Sequence, residues 1–185
     1  MSLLRLEGVS CIRGGRLLFE GLELTLGAGE GVRLVGPNGA GKSSLIRLAA
    51  RLLTPAAGRV SRSGEVSLAD ECVALDRERR LGDALCWWEP RARVEAGMAA
   101  FGLTELAKVP VLLLSTGQLR RARLARVMAS ASPLWLLDEP LNGLDDDGID
   151  CLSRAIADHR DRGGGVLAAS HVALAGEWRT IEMAP

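Results

Sequence analysis

The sequence predicts an α/β domain with a mostly parallel central sheet, an antiparallel β layer at its N-terminus and a small helical lobe. Three observations carry that expectation. Residues Gly36 to Ser44 read GPNGAGKSS and fit the pattern G-x-x-x-x-G-K-[ST], between a strand-like run (Glu30 to Val35) and a helix-like run (Ser44 to Leu53). Leu134 to Asp138 and Gly165 to Ala169 are short apolar runs set between helical segments, the pattern of buried parallel strands. Arg77 to Leu106 is rich in Ala, Leu, Arg and Glu at helical spacing, which marks a separate helical patch.

In chain order, three alternating segments come first: Leu3 to Glu7, Leu17 to Leu26 and Glu30 to Val35. Turns at Arg13-Gly14-Gly15 and Gly27-Ala28-Gly29 separate them. The helix after Ser43 is expected to end near Thr54-Pro55, because the residue before proline avoids helical angles. Gly58 to Ala69 reads as a turn and a strand. Arg77 to Leu106 reads as two or three short helices interrupted by Pro90 and Gly97. A helix over about Gln118 to Ala131 leads into the strand Leu134 to Asp138, and a helix over about Asp146 to Arg160 leads into Gly165 to Ala169. Trp178 to Met183 forms a last strand. The expected organisation is one domain over 1–185 with a helical subdomain at about 75–115.

A glycine-rich loop between strand and helix aims several backbone N–H groups at one point, and the helix N-terminus adds partial positive charge there. Gly36, Pro37, Asn38, Gly39, Ala40, Gly41, Lys42, Ser43 and Ser44 therefore form a polyphosphate cradle, and the fold is that of a P-loop NTPase. Lys42 strengthens this reading. The chain has 21 Arg and only 2 Lys, so lysine here marks a place where a compact ammonium fits between phosphates and a planar guanidinium does not.

Leu134-Trp-Leu-Leu-Asp-Glu-Pro140 is an apolar strand ending in two carboxylates. At the tip of a parallel strand Asp138 lies beside the phosphate loop, where with the Ser43 hydroxyl it can hold Mg²⁺. Glu139 points the other way and is free to orient or deprotonate an attacking water. Leu114-Ser-Thr-Gly-Gln-Leu-Arg-Arg121 opens a helix with Ser115 as N-cap, a second anion-binding helix start. Since the Lys42 loop already covers one side of a phosphate chain, a second donor face is best used on a different nucleotide.

Composition narrows the alternatives. Acidic and basic residues balance at 23 each, with no basic run or stripe, which argues against a nucleic-acid partner. Cys11, Cys72, Cys86 and Cys151 have no C-x-x-C spacing, which suits a reducing compartment and no metal cluster. The opening MSLLRLEGVS lacks an apolar signal region, and no apolar run is long enough to span a bilayer.

LSTGQ resembles the LSGGQ signature of ABC-type ATPases. The order of motifs matches that family too: phosphate loop, signature, Asp-Glu-Pro strand, Leu141-Asn-Gly-Leu-Asp145, then His171 after a strand. The resemblance implies an ABC nucleotide-binding domain in which two copies stack head to tail. ATP would lie between the phosphate loop of one copy and Ser115, Gly117 and Gln118 of the other. Thr116 departs from one of the two signature glycines, and Gly117 keeps the other. Leu141 to Asp145 resembles the loop that communicates between the two sites, and His171 resembles the histidine that contacts the γ-phosphate. His159, in a polar helix, reads as solvated.

Two further departures concern expected ligands. The family places an aromatic ring on adenine where this chain has Arg13, which either stacks its guanidinium on the base or is a turn residue. The family also has a Mg²⁺-sensing glutamine after the strand near residue 69. Asp70, Glu71 or Cys72 occupies that place, and Glu71 could ligate Mg²⁺. Within the family the chain is similar to the ATP-binding subunit of cytochrome c maturation haem exporters, on Cys11 to Phe19, Leu119 to Arg126 and Leu134 to Asp145. That likeness implies ATP hydrolysis for an integral membrane partner, at the cytoplasmic face of a bacterial inner membrane. Another small ABC exporter, or a non-transport ABC ATPase, is the alternative. Trp87-Trp88-Glu89-Pro90 either forms part of the dock for the membrane subunit or packs in the core.

Overall fold

The computed structural model describes residues 2–70 and 75–184. β1 (Ser2–Arg13) and β2 (Arg16–Gly27) form an antiparallel hairpin, followed by β3 (Gly31–Val35), α1 (Lys42–Ala49), β4 (Ala57–Arg62) and β5 (Val66–Ala69). Next come the short helices α2 (Leu81–Cys86) and α3 (Arg91–Ala100), two single 3₁₀ turns at Thr104–Leu106 and Val111–Leu113, and α4 (Thr116–Ala129). The chain continues through β6 (Leu134–Asp138), α5 (Asp146–Asp161), β7 (Gly165–Ala169) and β8 (Arg179–Glu182). The strands make one antiparallel sheet of order β2-β1-β4 and one five-stranded sheet of order β5-β6-β7-β3-β8, in which β3, β6, β7 and β8 run parallel. This is the α/β architecture that the sequence predicts. No helix among the described residues is long and apolar enough to cross a membrane.

The described residues fall into two compact units, one within 1–68, 132–140 and 157–185, the other within 69–131 and 141–156. In the first, Leu134, Leu136, Leu137 and Val166 to Ala169 are fully buried, as strands covered on both faces must be. Leu45, Ile46, Leu48 and Ala49 of α1 and Leu4, Leu6, Leu24 and Leu26 of the hairpin join Leu134, Leu136, Leu167 and Ala169 in one apolar core. Each fully buried leucine or isoleucine contributes roughly 1.5–3 kcal/mol relative to exposure. The parallel register aligns the strand ends that matter. Leu34 is level with Ala169, and Ala169 with Asp138, so the residues following β3, β7 and β6 emerge at one edge.

Four elements differ from the sequence expectation, each for a local reason. Gly58 to Ala69 is not a turn and one strand but two strands, β4 and β5, parted at Gly64 (φ 80°) and belonging to different sheets. β1 runs far past Glu7 because a bulge sits at Gly8 (φ 58°). Inward positions switch there from Leu4 and Leu6 to Val9 and Cys11, which breaks the alternation without ending the strand. α1 stops at Ala49, well before Thr54-Pro55. Arg51 takes the left-handed conformation (φ 60°), its N–H donates to Leu48 O and that of Leu52 to Arg47 O, the bonding of a Schellman stop built on arginine instead of glycine. Gly97 does not interrupt a helix but lies inside α3. A side chain there would strike the Ala125 carbonyl, so glycine is what lets α3 and α4 pack closely.

Candidate functional site

The phosphate loop departs from β3 at Gly36, whose φ of 144° and proximity to the Met183 carbonyl leave no space for a Cβ. Gly39 and Gly41 also have positive φ, and Gly41 caps α1 without any side-chain hydrogen bond. The first turn of α1 carries no acidic residue. Its N–H groups and dipole thus face an anion site that no carboxylate of the helix itself neutralises. Lys42 is only 7% exposed, and its Nζ donates to Gly36 O (2.7 Å) and Pro37 O (3.1 Å). An ammonium has three N–H donors, so two hold the loop's shape while the third is left for a phosphate oxygen.

The aligned strand ends bring in the rest of this half. Ser43 Oγ donates to Asp138 Oδ1 at 3.0 Å, joining residues 95 positions apart. Glu139 follows with its N–H on Ala169 O (2.9 Å) and a φ of 47°, a left-handed conformation costing a non-glycine residue about 1–3 kcal/mol. That turn sends its carboxylate away from Asp138 and toward His171. His171 donates its backbone N–H to Glu139 Oε2 (3.4 Å), and its Nε2 lies 3.2 Å from Glu139 Oε1 and 3.0 Å from Asn38 Oδ1. With two acceptors facing it, Nε2 carries the proton. Lys42, Ser43, Asn38, Asp138, Glu139 and His171 therefore come together, and Asn38 has a role as the ring's partner that the loop pattern did not reveal.

Ser115, Gly117 and Gln118 lie in the other compact unit. Ser115 caps α4: the Gln118 N–H donates to Ser115 Oγ (3.2 Å) and the Ser115 N–H to Gln118 Oε1 (2.9 Å). This reciprocal capping box, written in the sequence as Ser-x-x-Gln, is worth about 1 kcal/mol and fixes the angle at which the helix start is presented. The Ser115 hydroxyl proton stays available to an anion. Farther along, the loop 141–145 is tied to α4 by an ion pair from Arg121 Nη2 to Asp145 Oδ1, which holds the Asp145 carboxyl below the usual carboxylate range and raises the Arg121 guanidinium.

Arg13 is exposed at the hairpin tip, paired across the turn with Arg16. The hairpin residues that reach the phosphate loop are Leu18 and Phe19, which crowd the space where a Gly41 side chain would stand. Phe19 was the signal that sequence reasoning passed over, the one aromatic residue before the loop. Glu71 lies outside the described residues; its neighbour Asp70 is buried. Trp87 and Trp88 are 71% and 54% exposed, so they are not core residues. They line a cavity of about 240 Å³ with Asp76, Arg79 and Ala84, with Arg79 over the Trp87 ring and Arg126 over that of Trp88. His159 is not solvated. Its ring stacks on Trp135 at 3.9 Å and 10°, and burial lowers its pKa below 6.5.

Comparison with known proteins agrees with this geometry. The family model described as ABC transporter matches residues 19–142. A "Cytochrome c biogenesis ATP-binding export protein CcmA" from Sphingopyxis alaskensis is 56% identical over 181 residues, covering 94% of this chain and 92% of that protein. A protein of the same name from Zymomonas mobilis is 46% identical, covering 95% of this chain and 81% of its own. Among solved structures, an ATP-binding subunit of an ABC transporter superposes with a TM-score of 0.84 at 24% identity, over 92% of this chain and 80% of that one.

Proposed function

This chain belongs to the ABC transporter family, among its cytochrome c biogenesis ATP-binding export proteins, and we propose from that premise that its ATP hydrolysis drives an exporter serving cytochrome c maturation, with haem as the cargo. It is an ATPase of the ABC type and binds ATP. The observation that carries the catalytic reading is the Glu139–His171–Asn38 cluster set beside Lys42 and the Ser43–Asp138 pair at one sheet edge.

Each residue has a task in this reading. The loop from Gly36 to Ser44 wraps the β- and γ-phosphates, and Lys42 neutralises charge between them. The Ser43 hydroxyl and Asp138 carboxylate are hard oxygen ligands already 3.0 Å apart, a donor set that fits Mg²⁺. Bound there, the ion would screen the phosphate charge. Glu139 orients the attacking water and takes its proton as the O–P bond forms and ADP leaves. His171 holds the Glu139 carboxylate through its backbone N–H, and its single Nε2–H is shared between Glu139, Asn38 and the γ-phosphate. Ser115, Gly117 and Gln118 of a second copy close the other side in a head-to-tail pair, excluding water; release of phosphate loosens it. The chain acts as one nucleotide-binding domain with a helical lobe. It attaches to integral membrane subunits at the cytoplasmic face of the bacterial inner membrane, through the exposed Trp87–Trp88 cavity. Glu71 would be a further ligand for Mg²⁺, and Arg13 is the residue nearest the base in the linear pattern.

The test is steady-state ATP turnover of the purified chain and its Glu139→Gln variant. Hydrolysis lost in the variant while ATP is still bound supports the reading; equal turnover in both contradicts it. Co-purification from membranes, with the integral proteins identified, tests the partner. Haem-exporter subunits support the assignment, and subunits of another transporter overturn it.

A further inference from the structure

Two consecutive arginines of α4 bracket the loop 141–145 within one compact unit. Arg120 packs its guanidinium against Gly143, where φ is 63° and any Cβ would fall on the guanidinium. Arg121, mostly buried, pairs with Asp145 Oδ1. The same oxygen accepts the Gly148 N–H at 3.1 Å, so one carboxylate atom caps the start of α5 and clasps α4. A Cβ on Gly148 would stand 2.9 Å from Asp145 Oδ1 and 3.2 Å from Arg121 Nε, which reserves that space for the ion pair. At the other end Gly117 faces the Gly143 carbonyl, its own Cβ position 3.9 Å away. α4 and the loop after β6 are thus fastened at two successive points, Arg120 on Gly143 and Arg121 on Asp145, with Gly117 beside the same loop.

We infer that Arg121 is a positioning residue that makes Ser115–Gln118 and the loop 141–145 move as one piece when the two copies close, so that gripping a phosphate and placing the loop are a single event. The inference rests on the head-to-tail pairing proposed above. Arg121 acts through Asp145. The coupling is carried by one ion pair on a chain turn, with little apolar burial around the Asp145 carboxylate, so its loss loosens the loop and leaves the helices folded.

Two variants test this from opposite sides. Arg121→Gln removes the pair. Gly148→Ala fills its space while favouring helix, so it weakens the clasp without weakening α5. Both should lower kcat about tenfold with KM within about threefold, because the contact matters once the nucleotide is enclosed. Arg121→Lys, which keeps the cation and leaves the Asp145 cap on Gly148 intact, should recover at least part of the loss. Wild-type kcat in both single variants, or a loss confined to Arg121→Gln, overturns the inference. The Glu139→Gln chain keeps the two questions apart. If it pairs in ATP and the clasp variants turn over normally, the clasp alone is wrong; if it never pairs, the pairing is wrong.

Discussion

The two halves of the proposed nucleotide site are held by opposite means. Asp138, Glu139 and His171 stand at or just past the ends of buried parallel strands and Lys42 and Ser43 at the start of α1, so their positions are fixed by a core of leucine, isoleucine and valine. Ser115, Gly117, Gln118 and the loop 141–145 are held by a capping box, a glycine contact and an ion pair whose carboxylate is exposed. A half that performs chemistry needs sub-ångström placement, which a packed sheet supplies. A half that must engage and release another chain's nucleotide is better held by polar contacts, which are strong enough to orient and weak enough to rearrange.

The comparison can be broken at several points, beginning with the largest effect. Glu139→Gln should lower turnover by about 10²–10⁴ while ATP binding persists, measured by phosphate release and by nucleotide titration. Lys42→Arg keeps the charge but cannot place a compact ammonium on Gly36 O and Pro37 O, so ATP affinity should fall at least about tenfold. Gly36→Ala meets the Met183 carbonyl and should cost about 1–3 kcal/mol of stability, whereas Ser115→Ala should cost only about 1 kcal/mol. Thermal unfolding compares the two directly, and equal losses would erase the contrast between a core-built half and a cap-built one.

The smallest effect concerns acid. Burial keeps His159 neutral on Trp135 in the folded chain, while the unfolded chain takes up a proton as pH falls through about 6.5. This contribution to stability is therefore complete above that pH and is lost as pH drops below it. His159→Phe preserves the stack without the titration, so its denaturation midpoint should change less between pH 7 and pH 5.5 than that of the unaltered chain.

Local signals explain what could be read in advance. β6 and β7 were legible to the residue because buried parallel strands are unbroken apolar runs, and the phosphate loop because its glycines and lysine occur at fixed spacing. The full length of β1 was hidden by the bulge at Gly8, and the stop of α1 by an arginine doing what glycine usually does. The stack of His159 on Trp135 joins two segments with no pattern in common, so a polar helix surface concealed it. The clasp of Arg121 on Asp145 was illegible for the same reason. In a chain with 21 arginines nothing in the sequence marks this one out.

Light scattering of the Glu139→Gln chain, with and without saturating ATP and Mg²⁺, tests the shared site most directly. The account predicts one chain without nucleotide, two chains with it, and a return to one chain when Ser115→Arg is added. A single chain at every ATP concentration, or a pair indifferent to Ser115, would contradict it.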